Sequence, residues 1–223
     1  MLYKSRIAGR RRIELVAIDW SGVISDDRRP VYEANMRILE SRGIPRLKFD
    51  EWLPITQPGP AEFLAANGVT GNRAAIYEEY SAILAKVREE GISPVAYPDA
   101  KKILDRLAEA VQIVVISSHP RKHLVAEAAE YGISGCFRGL TGSVKDKGEA
   151  IRSACAENRR EPGSTVYVGD MTYDILAARR AGARSAAVTT GYHVKERLAR
   201  EAPDFIYDSL TELLAGLDPL LRR

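Results

Sequence analysis

Several features that would direct the reading elsewhere are missing. The 223 residues include only two cysteines, Cys136 and Cys155, and their spacing fits neither a metal site nor a redox motif, which excludes a disulfide scaffold. Both read as small buried hydrophobes in a reducing cytoplasm. No apolar run approaches the roughly 20 residues needed to span a bilayer, so an integral membrane protein is not expected. Basic residues crowd the start (Lys4, Arg6, Arg10, Arg11, Arg12) without the apolar stretch of a secretory signal behind them. They form either a solvated terminus or an arm for an acidic partner. A net charge of +3 is too small to argue for nucleic acid or an anionic membrane. There is no internal repeat and no low-complexity tract.

What is present is alternation. With 45% hydrophobic and 28% charged residues the composition is that of an ordinary globular chain. Mostly apolar runs at residues 13–18, 111–116, 165–168 and 186–189, with a weaker one at 205–207, read as strands covered on both faces. Helical stripes separate them: Ile103, Leu104 and Leu107, with Asp99 placed to cap their helix; Leu124, Ala128 and Tyr131, ended by Gly132; Ile151, Ala154 and Cys155; Ile175 and Ala178, ended by Gly182. Such alternation predicts an α/β fold with a doubly wound, mainly parallel sheet. Residues 32–91 break the pattern and are helical throughout, with the clearest stripe at Ile76, Tyr80, Ile83, Leu84 and Val87. They predict an inserted cap subdomain at 28–95 over a core made of 13–27 and 96–223, with 1–12 as the basic arm. Hinges are expected at 25–29 and 93–98, where Pro94 and Pro98 restrict the chain.

In parallel sheets ligands bind at the carboxyl ends of the strands. Asp19, Ser117 and Asp170 stand at three of those ends, with Asp174 close behind. Carboxylates on adjacent strand tips repel unless a cation lies between them, and magnesium suits an all-oxygen site that leaves room for a phosphate. The expected ligands are Asp19, the Ser21 carbonyl, Asp170 and Asp174. The Ser117 hydroxyl and backbone N–H groups around Gly22 and Ser118 are expected to donate to phosphate oxygens. Lys147, favoured over Lys145 because its surroundings fit a helix start, offsets the negative charge. Asp19 would be the in-line nucleophile.

The ordered set Asp19-Trp20-Ser21-Gly22-Val23, Ser117, Lys147 and Gly169-Asp170-Met171-Thr172-Tyr173-Asp174 resembles the haloacid dehalogenase superfamily, over nearly the whole chain after residue 12. Tyr97-Pro98-Asp99 and Pro203-Asp204-Phe205-Ile206 resemble it too, and the helical insertion is placed as in phosphoglycolate-phosphatase-like members. The resemblance implies a magnesium-dependent phosphatase of small phosphorylated metabolites, with Asp19 as nucleophile, Ser117 and Lys147 on the phosphate, and Asp170 and Asp174 at the metal. Oligomeric state, monomer or homodimer, is left open.

One position departs from that pattern. Phosphatases of the family carry a second aspartate two residues after the nucleophile, and here that residue is Ser21. A serine hydroxyl is no general acid or base near neutral pH. The Asp-Trp-small-Gly pattern is similar to phosphonoacetaldehyde hydrolase, but the 56–60 stretch lacks the cap lysine which that carbon–phosphorus chemistry requires, and Lys48 lies earlier. A slow phosphotransferase and a ligand-binding protein without turnover are the remaining alternatives. His119, Arg28 and Arg29 are secondary candidates near the cleft. His119 could stand in as acid–base, and the arginines could bind a substrate anion.

Overall fold

The computed structural model describes residues 11–221, so most of the basic arm lies outside the described residues. In chain order the elements are β1 (Leu15–Ile18), β2 (Ser25–Asp26), α1 (Arg28–Ser41), α2 (Phe49–Trp52) with a 3-10 turn at Leu53–Ile55, α3 (Pro60–Ala66), α4 (Arg73–Glu89) and β3 (Val95–Ala96). Then follow α5 (Ala100–Ala110), β4 (Gln112–Ile116), α6 (Arg121–Glu130), β5 (Gly139–Thr141), α7 (Lys147–Glu157), β6 (Thr165–Gly169), α8 (Thr172–Ala181), β7 (Arg184–Val188), α9 (Lys195–Arg200), β8 (Phe205–Tyr207) and α10 (Leu210–Leu221).

Six strands form one sheet in the order β5-β4-β1-β6-β7-β8, and every pairing in it is parallel. Side chains alternate across each strand, and both faces are apolar because both are covered. Val16, Ile18, Ile113, Val115, Val166 and Val168 pack with Ile103, Leu104 and Leu107 of α5 and the leucines of α10. Leu15, Ala17, Val114, Ile116 and Tyr167 pack with Ile151, Ala154 and Cys155 of α7 and the alanines of α8. Each fully buried leucine or isoleucine contributes about 1.5–3 kcal/mol. Continuous apolar runs such as Leu15-Val16-Ala17-Ile18 are the direct result.

The expected strands are all present; the fifth has the expected ends and the others shift by one or two residues, the first starting at Leu15 and the fourth at Arg184. Helix α8 does end at a left-handed Gly182, φ +76°. Asp99 departs from its expected role. Its carboxylate makes no cap bond to α5 and instead accepts the N–H and hydroxyl of Thr211 at 2.9 and 2.8 Å, pinning α10.

Helices α1–α4 enclose a core of their own, built on Tyr32, Trp52, Phe63, Leu64, Ile76 and Tyr80. Asn72 starts α4 by accepting the Ala74 N–H at 2.8 Å. The chain leaves the large sheet and returns to it through an antiparallel ribbon, Ser25 opposite Ala96 and Asp26 opposite Val95. Among the described residues no helix is long and apolar enough to cross a membrane.

Candidate active site

Strands β4, β1 and β6 are neighbours, so Ser117, Asp19 and Asp170, each one residue beyond its strand, meet at one end of the sheet. Asp19 is fixed by its own loop: its Oδ1 accepts the Trp20 N–H at 2.7 Å. The chain then turns sharply through Gly22, whose φ of +74° favours glycine. The Gly22 N–H is donated to Ser25 O at 2.8 Å, so the phosphate donor expected at this position is already engaged. What Gly22 supplies is room, because a Cβ there, or at Gly191, would collide with the Asp170 carboxylate.

Asp174 lies in the first turn of α8, where its Oδ2 accepts the Met171 N–H at 2.9 Å. Its other oxygen accepts Lys147 Nζ at 2.7 Å, and the same ammonium donates to Asp19 Oδ2. Lys147 opens α7, whose start Asp146 caps by accepting the Gly148 N–H at 2.8 Å. Lys145 is exposed. Carboxylate oxygens of Asp19, Asp170 and Asp174 all lie within 4.8 Å of one another, and all three residues are buried.

This is an electrostatically incomplete cluster, three carboxylates against one ammonium. Burial, then Asp174 and Asp19, push the Asp170 carboxyl well above its ordinary range. Burial and Asp19 also push Asp174 up, against the pull of Lys147. Burial opposes the charge on Lys147, but Asp174 and Asp19 outweigh it and hold the ammonium well above its usual value. A set of buried oxygen donors with too little positive charge is the chemistry of a hard divalent cation site, and magnesium fits it.

Ser117 is buried, and its Oγ accepts the His119 N–H at 3.3 Å, which leaves the hydroxyl proton to be donated elsewhere. The exposed Ser118 gives its hydroxyl to Val144 O at 3.0 Å. The Ser21 hydroxyl lies near enough to Asp27 to favour its charged form; this buried carboxyl also accepts the Tyr192 hydroxyl at 2.8 Å. Burial first, then Glu127, push Asp27 up, while Ser21, His119 and Tyr192 pull the other way.

Trp20 packs on the core side, stacked on Tyr131 and edge-on to Phe137. Its Nε1 donates to the buried Glu127 Oε2 at 2.7 Å, and Arg88 of α4 reaches the other oxygen at 3.0 Å. His119 Nε2 stands 3.5 Å from the same Glu127 oxygen. Arg28 forms a two-pronged pair with Asp26 at 2.8 and 2.7 Å, and Arg29 lies over Phe49.

Sequence reasoning missed Asp27, Glu127 and Tyr192. The Tyr192 N–H donates to Asp170 Oδ2 at 2.7 Å. Its one sequence signal is position, just past the end of a parallel strand.

The profile of haloacid dehalogenase-like hydrolases matches residues 16–188. The chain is 28% identical over 127 residues to the phosphoglycolate phosphatase of Haemophilus influenzae (strain 86-028NP), covering 54% of this chain and 57% of that protein. It thus spans little more than half the length of that curated relative. To the phosphoglycolate phosphatase of Vibrio parahaemolyticus serotype O3:K6 (strain RIMD 2210633) it is 25% identical over 218 residues, 91% of this chain and 95% of the other. Among solved structures, a predicted phosphatase from Clostridium acetobutylicum shares the fold with a TM-score of 0.80 at 19% identity, covering 93% of this chain and 99% of that one. With strand-tip carboxylates, a helix-start lysine and a profile match across most of its length, this chain belongs to the haloacid dehalogenase-like hydrolase family.

Proposed function

We propose that this chain is a magnesium-dependent phosphoric-monoester hydrolase of small phosphorylated metabolites, working in the cytoplasm on neither nucleic acid nor membrane. The observation that carries this reading is the cluster of Asp19, Asp170 and Asp174 around Lys147, buried at the strand ends and short of positive charge. The relatives named phosphoglycolate phosphatase support the choice of substrate class.

Asp19, Asp170, Asp174 and the Ser21 carbonyl would hold the ion, which when bound supplies positive charge to the phosphate oxygens. Lys147 adds its ammonium and the Ser117 hydroxyl a donor, both where charge develops during transfer. The Asp19 carboxylate, already aimed by the Trp20 N–H and Lys147, attacks phosphorus as the bond to the substrate's ester oxygen breaks, and that oxygen takes its proton from water to leave as the alcohol. The resulting aspartyl-phosphate is then cleaved by water. The α1–α4 unit is read as a cap, residues 28–95, that closes over the cleft and excludes bulk water.

A second reading rests on Ser21. With no carboxylate there, hydrolysis of the aspartyl-phosphate is slowed, which favours a slow phosphotransferase. A carbon–phosphorus hydrolase is less favoured, since residues 56–60 carry no lysine. The test is phosphate release from phosphoglycolate and a panel of phosphorylated sugars and acids, with and without magnesium. The expected result is release that requires the ion and disappears in Asp19→Asn. Equal release by Asp19→Asn would refute the nucleophile, and no release from any substrate by folded protein would refute the phosphatase.

A further inference from the structure

The loop that follows β7 gathers an unusual number of contacts. Thr190 donates its hydroxyl to Gly22 O in the nucleophile loop, and its own carbonyl accepts the Tyr97 hydroxyl beside β3, both at 2.7 Å. Gly191 presses against the Asp170 carboxylate. Tyr192 follows, fixed at one end by its N–H on Asp170 and at the other by its hydroxyl on Asp27, the residue before α1. Its ring meets Trp52 of α2 edge-on, centroids 6.0 Å apart. His193 accepts the Thr172 N–H at 3.0 Å. Arg197 of α9 donates to Pro54 O at 2.8 Å. Between Thr190 and Arg197 the chain therefore touches the nucleophile loop, the residues that follow each arm of the ribbon (Asp27 and Tyr97), the acidic cluster and the helical unit.

Tyr192 is the one residue in this loop whose own atoms reach all three of Asp170, Asp27 and Trp52. Its backbone is held by the cluster, and its side chain is buried within the core of the α1–α4 unit. A ligand shifts a conformational equilibrium only through contacts that differ between the states. Tyr192 supplies such contacts, because any tilt of α1 and α2 away from the sheet must break its hydroxyl bond and its packing on Trp52.

We propose that Tyr192 is a positioning residue that couples seating of the α1–α4 unit to the acidic cluster, so that order at Asp170 is transmitted to Asp27 and Trp52. This rests on the reading of α1–α4 as a cap. The Arg88–Glu127 pair also joins that unit to the sheet domain, but it touches none of the three carboxylates and so cannot report on the cluster.

The test is hydrogen–deuterium exchange on the full chain, with magnesium chloride alone as the probe, comparing the unaltered protein with Tyr192→Phe and Tyr192→Ala. Tyr192→Phe keeps the backbone and the ring and removes only the hydroxyl. In the unaltered protein, magnesium is expected to slow exchange in peptides covering 25–31 and 48–57. In Tyr192→Phe those peptides should exchange about 10-fold faster, the order expected for losing one buried hydrogen bond to a carboxyl group. They should also lose most of their response to magnesium, while peptides of β1, β6 and α7 keep theirs. Exchange in 25–31 and 48–57 unchanged in both variants, or raised equally through α5 and α10, overturns the coupling. No substrate is used, so a chain that hydrolyses nothing can still show this coupling, and an active phosphatase can lack it.

Discussion

Lys147 is the one cation among three buried carboxylates, and much of the site's electrostatics follows from that ratio. Its ammonium stands 5.9 Å from the centre of the Tyr167 ring and 5.8 Å from that of Tyr173, so aromatic walls limit what else fits there. Lys147→Met leaves Asp19 and Asp174 without a counter-charge. Removing one partner of a buried pair costs about 3–5 kcal/mol, and urea unfolding of metal-free protein should show a loss of that order. A loss under about 1 kcal/mol would mean that water already screens the cluster. Ser21 poses the converse case. Ser21→Asp restores the carboxylate that the family's phosphatases carry, and turnover should rise, by about 10²-fold if general acid–base catalysis was the missing part. The new side chain also meets Asp27, so stability should fall and should recover when Asp27→Asn is added. Unchanged turnover in Ser21→Asp would show that the proton travels by another group.

At the scale of elements, the site is assembled by strand ends and two glycines. Gly191→Ala drives a methyl group into the Asp170 carboxylate, and magnesium affinity, read by calorimetry, should fall at least about 10-fold in a chain that keeps its secondary structure. Undiminished affinity would remove Asp170 from the ligand set. These positions also show how far the sequence carries. Strands β1, β4 and β6 were legible because both faces are buried, which writes an unbroken apolar run. Strand β5 was not, since Gly139-Leu140-Thr141 is a three-residue edge with one large apolar side chain. The two-residue arms β2 and β3 are too short for any period to register. Asp19, Ser117, Lys147, Asp170 and Asp174 could be picked out in advance because their side chains carry the chemistry. Tyr192 escaped because its bond to Asp170 comes from a backbone N–H, which every residue but proline possesses. Asp99 was misread because its position suited a cap, while its real partner, Thr211, is distant in sequence.

For the whole molecule, a site short of positive charge makes stability depend on the ion. Magnesium at 100 times its dissociation constant should add about 2.7 kcal/mol, seen as a rise in Tm. Asp170→Asn removes one of the mutually repelling carboxylates, so the metal-free protein should be more stable than its parent and the response to magnesium should largely vanish. A metal-free Asp170→Asn protein less stable than its parent would mean that the Tyr192 N–H bond outweighs the repulsion. The ribbon of β2 and β3 has a wider meaning. It brings the outgoing and returning chain to paired positions, Ser25 beside Ala96, about 5 Å apart as in any antiparallel pair. An insertion of almost any length can be spliced into such a socket without moving a strand of the large sheet. The helical insertion can therefore be rewritten apart from the large sheet, save where Tyr192, Arg88 and Arg197 tie the two together, and an engineer who keeps those contacts can exchange one insertion for another by cutting at the same two places.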